Sequence, residues 1–184
     1  MIYPWYENLH DCKEIEQGDI ILDCPIIVPP ITFKEDDVSN ATLVRINSIV
    51  LSQSCDIIND KIEIVIVCPY KTLSQFLESF QEKSPNKKEK KKIIDNLRTG
   101  HYSAYHLLNK DDNMNNDYLV VDFRNIYGIH VSALKAIVSN TKDRIRLLPP
   151  YREHLSQAFA RFFMRVGLPQ DIDIESYFNE TVQN

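Results

Sequence analysis

One stretch of the chain restricts its fold more than any other. From Ile62 to Cys68 nearly every side chain is β-branched, and the run closes on Pro69. Such a run is typical of a strand that is buried on both faces of a sheet or lies in the wall of a barrel. The sequence therefore predicts a β-sheet built around this strand.

Further strands are predicted on either side of that run. Gly18-Asp19 is a turn signal, after which Ile20–Leu22 begins a strand, and the next apolar run spans Leu43–Ser52. Asn59-Asp60 is a plausible hairpin tip. Later strands are predicted at Tyr118–Phe123, Ile129–Val131 and Ile145–Leu148. Residues 1–17 are interpreted as a leader whose aromatic side chains pack onto the body.

The apolar spacing changes to a helical period in two places. Leu73, Phe76 and Ile93 belong to the first, which predicts a helical insertion over 71–98. Leu155 and Phe159 belong to the second, an amphipathic C-terminal helix over 151–166. The expected fold is α+β, a single domain over 1–184 with antiparallel strands at 17–69 and 117–148.

Composition excludes several functions and names none. The 184 residues are 43% apolar, which suits one domain with a real core. Only four glycines are present, too scattered for a phosphate-binding loop. The net charge of −5 argues against a general polyanion binder. However, residues 81–165 hold 16 basic and 9 acidic side chains, so the middle of the chain is basic.

The remaining composition favours a cytoplasmic protein. The N-terminus has no basic start followed by an apolar run, so it does not resemble a secretion signal. No apolar stretch is long enough to cross a membrane, and we expect no membrane association. The four cysteines are expected to be reduced. No Cys-x-x-Cys or His-Glu-x-x-His pattern is present, so we predict neither a metal nor a cofactor.

The first candidate site is Ser52–Asp56, where a predicted strand leaves the sheet. Cys55 could act as a nucleophile if a base activated it, but Asp56 beside it favours the thiol over the thiolate. A histidine from elsewhere, His101 or His106, would have to help. The alternative is a small structural thiol with Asp56 capping a turn.

Two further candidates are histidine-containing. The segment His101–His106 could contribute metal ligands only together with distant cysteines, and the alternative is a polar loop.

The predicted C-terminal helix carries a polar stripe, whose members fall within about 80° of one another: His154, Gln157, Arg161 and Arg165. A phosphate, a carboxylate or a partner protein could join the two arginines; pairing with acidic side chains of the same chain is the alternative.

The run Lys87–Lys92 is the fourth candidate. It could contact a nucleic-acid backbone, so RNA is a possible partner. Its alternative is a solvated helix face, because no aromatic side chain interleaves the lysines for base stacking.

The order of the predicted strands resembles that of the MazF/PemK toxins. The residues that carry the likeness are Gly18-Asp19-Ile20, Arg45 with Ile49–Ser52, and Val67-Cys68-Pro69 with Thr72. The resemblance implies a small, partly open β-barrel that cuts RNA without a metal. Arg45 and Thr72 are the nearest matches to the family's catalytic positions, although Ile46 replaces the usual proline and Thr72 lies one residue late.

A second likeness covers Ser52–Asp56, Arg152–Leu155 and Phe163–Pro169, which look like a group of uncharacterised bacterial proteins. The leading hypothesis is an accessory or binding subunit of a toxin–antitoxin or anti-phage system, with a protein partner or as a homodimer. The alternatives are a metal-independent endoribonuclease using Arg45 and Thr72, and a thiol-dependent enzyme using Cys55 and Asp56.

Overall fold

The structure, a computed structural model, describes residues 3–30, 41–80, 85–111 and 117–164. The strands in these ranges are β1 (Tyr6–His10), β2 (Asp19–Val28), β3 (Thr42–Val50), β4 (Ile64–Thr72), β5 (Tyr105–Leu108), β6 (Leu119–Asp122), β7 (Tyr127–His130) and β8 (Asp143–Leu147). The helices are α1 (Ser54–Ile58), α2 (Leu73–Ser79), α3 (Lys87–Arg98), α4 (Val131–Ser139) and α5 (Tyr151–Phe163).

The described strands form one antiparallel sheet in the order β1-β8-β2-β3-β4-β6-β5, with β7 also on β4. Val67 of β4 lies opposite both Val50 of β3 and Tyr127 of β7, and β6 pairs with the end of β4 at Tyr70–Thr72. The α+β class with an antiparallel sheet is therefore confirmed. The sheet is open among the described residues, because no pairing joins β1 to β5, and barrel character is not confirmed.

Strand β4 is less buried than its β-branched run predicts. Val65 and Val67 are fully buried, whereas Ile64 and Ile66 on the alternate face are 52% and 37% exposed. The first half of β4 is thus covered on one face only. Gly128 of β7 leaves room for Ile64, since a Cβ atom there would lie 2.6 Å from the Ile64 Cγ2 atom.

Three hydrophobic clusters cover the sheet. One packs α1 and α4 against β2, β3, β4 and β7; a second packs α5 against β3, β4, β5, β6 and β8; the third packs α2 and α3 against β5 and β6. Leu155 of α5 is completely buried, and Phe159 and Phe162 pack beside it, as the helical spacing predicts. Val166 lies outside the described residues.

Four elements depart from the sequence prediction. Residues 6–10, interpreted as part of a leader, form β1, because they pair with all five residues of β8. His106, assigned to a polar loop, lies in β5 through its pairing with Val121. A short helix, α1, precedes the predicted hairpin tip at Asn59-Asp60. Val131, predicted to end a strand, instead begins helix α4.

Within the described ranges, no helix is long and apolar enough to span a membrane.

A buried ion cluster fastens the segment before β2 to β8. The Asp19 carboxylate is completely buried and accepts hydrogen bonds from Arg146 Nε and, at 3.3 Å, from Arg144 Nη2. Arg144 also donates to the carbonyl oxygens of Cys12 and Glu14 at 2.8 and 2.7 Å. Paired buried charges of this kind hold their geometry because separating them would leave an uncompensated charge in the interior.

The ion cluster also depends on the backbone at Gly18 and on the charge of Arg146. Gly18 adopts a φ of +88°, and a Cβ atom there would lie 2.9 Å from the Leu147 carbonyl oxygen, so glycine lets the chain approach β8 closely. Burial by itself would lower the pKa of Arg146, but the hydrogen bond and charge of Asp19 outweigh it, and the pKa is raised. Arg146 therefore stays charged inside the protein.

We expect Asp19→Asn to lower the free energy of unfolding by about 3–5 kcal/mol, since it removes the acidic partner of the buried Arg144 and one of the two acidic partners of the buried Arg146. Urea denaturation followed by circular dichroism measures the change. Asp143→Asn is the matched control, because Asp143 pairs with His10 at the exposed end of β8 and should matter little. Equal stability of the two variants would contradict the structural role of Asp19.

Candidate functional site

A groove of about 480 Å³ runs along β5, the last strand in the sheet order. The C-terminal end of α3 with the following turn forms one wall, and α5 forms the other. All four β5 residues, Tyr105–Leu108, line it. We call this cavity, with its walls at 97–100 and 154–161, the β5 groove.

The charge of the β5 groove is one-sided. Two arginines, Arg98 and Arg161, line it beside the histidines His106 and His154, and no acidic side chain is among its lining residues. Arg98 lies 3.8 Å from Asp95, a loose and exposed pair that leaves most of its charge uncompensated. Arg161 is exposed and forms no ion pair with an acidic side chain of the described ranges. The groove is therefore suited to an anionic group.

The two histidines of the groove are in contact. The rings of His106 and His154 lie 5.2 Å apart in an edge-to-face arrangement. Burial, followed by the nearby His154 and Arg161, lowers the pKa of His106 to about 4. His106 is therefore neutral at pH 7, and either of its ring nitrogens could donate a hydrogen bond, depending on the tautomer.

Local structure explains how these side chains meet. Leu155 faces the core, which turns His154 and Arg161, two helical turns apart, toward one edge of α5. At the start of the same helix, Tyr151 stacks on Trp5 with ring centroids 3.6 Å apart. Trp5 also lines the groove, so this stack fixes the position of α5 beside it.

The helical stripe predicted from the sequence is only partly assembled. His154 and Arg161 line the β5 groove, and the structure adds His106, which the sequence placed in a separate candidate site. Gln157 is exposed on α5 but is not among the residues that line the groove. Arg165 lies outside the described residues.

Cys55 is exposed in α1, which lies between β3 and β4 in the chain. Its thiol donates weakly to Gln53 Oε1 at 3.7 Å and to Asp56 Oδ1 at 3.6 Å. Both helpers suggested by the sequence lie elsewhere, since His106 is in β5 and His101 follows α3. The thiol-dependent enzyme built on Cys55 and Asp56 gains no support from these contacts.

Arg45 and Thr72 each make a contact that serves the fold. Arg45 Nη1 of β3 donates to the Asp23 carbonyl oxygen of β2 at 3.1 Å. The Thr72 hydroxyl oxygen accepts a hydrogen bond from the backbone N–H of Gln75 and so caps α2. In return, the Thr72 N–H donates to Gln75 Oε1. The pairing of β3 with β4 ends at Ser48 and Pro69, so it does not reach Arg45 or Thr72.

The lysine run forms the first turns of α3, capped by Asn86 and Glu89, and its lysines are exposed. Ile93 and Leu97 bury the other face of this helix. Among the described residues, no group of three or more histidine, cysteine or acidic side chains is placed to hold a metal ion.

The ion cluster around Asp19 escaped the sequence analysis. Its members are Glu16, Asp19, Arg144, Arg146 and Arg152, and Glu16 joins the strands to α5 through a 3.4 Å contact with Arg152. The spacing of Arg144 and Arg146 by two residues was the available signal, although the predicted strand began only at Ile145. In the observed β8 this spacing places both guanidinium groups on one face.

Comparison with models of protein families, with curated proteins and with solved structures finds no match for this chain. The likeness to the MazF/PemK toxins therefore stays a prediction from the sequence.

We expect acid to destabilise this protein through His106. Because the unfolded chain takes up this proton near pH 6.5 and the folded chain only near a pKa of about 4, stability falls as the pH drops between these values. His106→Gln should flatten this dependence in thermal melts between pH 7 and 4, and His101→Gln, a change of an exposed histidine, should not. Parallel pH profiles for the wild type and His106→Gln would contradict the burial of this ring.

The thiols of Cys24, Cys55 and Cys68 should react in two classes. Burial raises the pKa of Cys68 to about 12 and also raises the pKa of Cys24, whereas Cys55 is exposed. Iodoacetamide at pH 8 should therefore modify Cys55 in the native protein, and Cys24 and Cys68 only after unfolding in guanidinium. Peptide mass spectrometry measures the sites; early modification of Cys68 would contradict the packing of β4.

Proposed function

We propose that this protein is a binding module that holds an acidic segment of a partner protein in the β5 groove. The observation that carries this proposal is the pair of arginines, Arg98 and Arg161, in a groove that no acidic side chain lines. It supports the accessory or binding role expected from the sequence more than either enzymatic alternative.

The balance of charge in the surrounding protein strengthens the argument. Three other arginines are neutralised by acidic side chains of the same chain. Ion pairs join Arg144, Arg146 and Arg152 to Glu16, Asp19 and Glu153. Arg161 lies on the same helix as Arg152 but faces the groove. A ligand with carboxylates would complete the pairing that the chain itself does not provide there.

The groove also has apolar surface for a peptide. Trp5, Leu97 and Ala158 line it together with the charged side chains. A segment that mixes acidic and apolar side chains can therefore contact both kinds of surface, as peptide sites commonly require. A polyanion with charge alone would leave this apolar surface uncovered.

The test uses Trp5, the single tryptophan of the chain, as a reporter inside the groove. We expect an eight-residue peptide that alternates aspartate with isoleucine to change its fluorescence saturably, and binding to weaken as salt is raised. A peptide with asparagine in place of aspartate should not bind. Equal binding of both peptides, or no binding of either, would overturn the proposal.

Arg161→Gln should weaken binding of the aspartate peptide about two- to fivefold, the effect of losing one exposed ion pair. Lys61→Gln is the matched control, because it removes the same charge from an exposed position beyond α1. Tighter binding of a single-stranded RNA of equal charge would replace the protein partner by a nucleic acid.

A further inference from the structure

We infer that the acidic segment binds as an additional β-strand along the free edge of β5. This inference rests on the proposed function and adds the mode of recognition. It concerns backbone groups of the sheet, whereas the proposed function rests on the charges around them.

The first step is the position of β5 in the sheet. β5 ends the sheet order and pairs with β6, and no other strand of the described ranges reaches its second edge. An edge of this kind presents backbone donors and acceptors that a further strand can use. Addition of an extended peptide to such an edge is a recurring mode of recognition.

The register identifies which backbone groups face outward. Phe123 donates its N–H to the Ala104 carbonyl oxygen at 2.9 Å, and Tyr105 lies opposite Asp122. In an antiparallel pair, hydrogen-bonded positions alternate, so His106 and Leu108 direct their backbone groups to β6. Leu107 directs both its N–H and its C=O to the free edge.

The ends of the edge are closed by the chain itself. The Tyr105 N–H donates to the Tyr102 carbonyl oxygen at 2.9 Å, and the Tyr6 hydroxyl donates to the Asn109 carbonyl oxygen at 2.6 Å. Between them, Leu107 lines the β5 groove. A bound strand would therefore be short, with Leu107 as the central contact.

The walls of the groove match the two faces of an added strand. Side chains of a strand alternate between its faces. His106 packs toward α5 with Phe123, and Leu107 packs in the cluster with α3. Successive side chains of the added strand would likewise point toward α5, which carries Arg161, and toward α3, which presents Leu97. A strand that alternates aspartate with isoleucine would therefore place its carboxylates beside Arg161 and its apolar side chains beside Leu97. Charge complementarity thus selects an acidic segment over a neutral one.

Amide hydrogen exchange of the full chain tests the inference. On saturation with the peptide that alternates aspartate with isoleucine, we expect exchange of the Leu107 amide to slow at least about tenfold, as a new hydrogen bond requires. The amides of His106 and Leu108, which already face β6, are the internal controls and should change little. An unchanged Leu107 amide in the peptide-bound protein would overturn strand addition and leave the proposed function standing.

A second peptide separates backbone pairing from charge. An analogue with every backbone amide methylated retains the carboxylates but has no N–H to donate, so we expect at least about tenfold weaker binding. Equal affinity of the two peptides would overturn strand addition. Failure of the unmethylated peptide to bind would overturn the proposed function itself. A Leu107 amide that is protected without peptide, and only at protein concentrations where light scattering shows a dimer, would assign the edge to a second copy of this chain.

Discussion

The pairing of Asp19 with Arg144 and Arg146 is the interaction on which the rest of the structure depends. It joins the first residue of β2 to β8, and β8 pairs with β1 along its other edge. Because α5 begins only a few residues after β8, the position of this strand also fixes the helix wall of the β5 groove. Glu16 strengthens the connection through its contact with Arg152 of α5. The interior charges thus position the groove without taking part in it.

The groove itself follows from the way the sheet divides at β4. The first half of β4 carries β7 and its end carries β6, which leads to β5 at the edge. Helices cover both faces of the sheet near this edge, α5 on one side and α3 on the other. An open strand edge between two helices is a concave surface with exposed backbone groups, and the side chains of the helices decide its charge.

Sequence reasoning succeeded where a long pattern had one dominant period. The β-branched runs predicted β3 and β4, the turn signal at Gly18-Asp19 predicted the start of β2, and the apolar spacing around Leu155 predicted α5. It failed for β1 and β5, which contain no β-branched residue, and for α4, whose nine residues give too few repeats of the helical period. These short elements owe their conformation to the neighbours with which they pair and pack.

The sequence by itself determined the residue types, the antiparallel strands at the centre and the stripe of α5 that carries His154 and Arg161. Only the tertiary structure decided that His106 joins that stripe and that Gln157 does not line the groove. It also decided which arginines are neutralised, because Asp19 meets its arginines across 125 and 127 positions of the chain. Pairing over such separations depends on packing of the whole sheet, and no local spacing of residues encodes it.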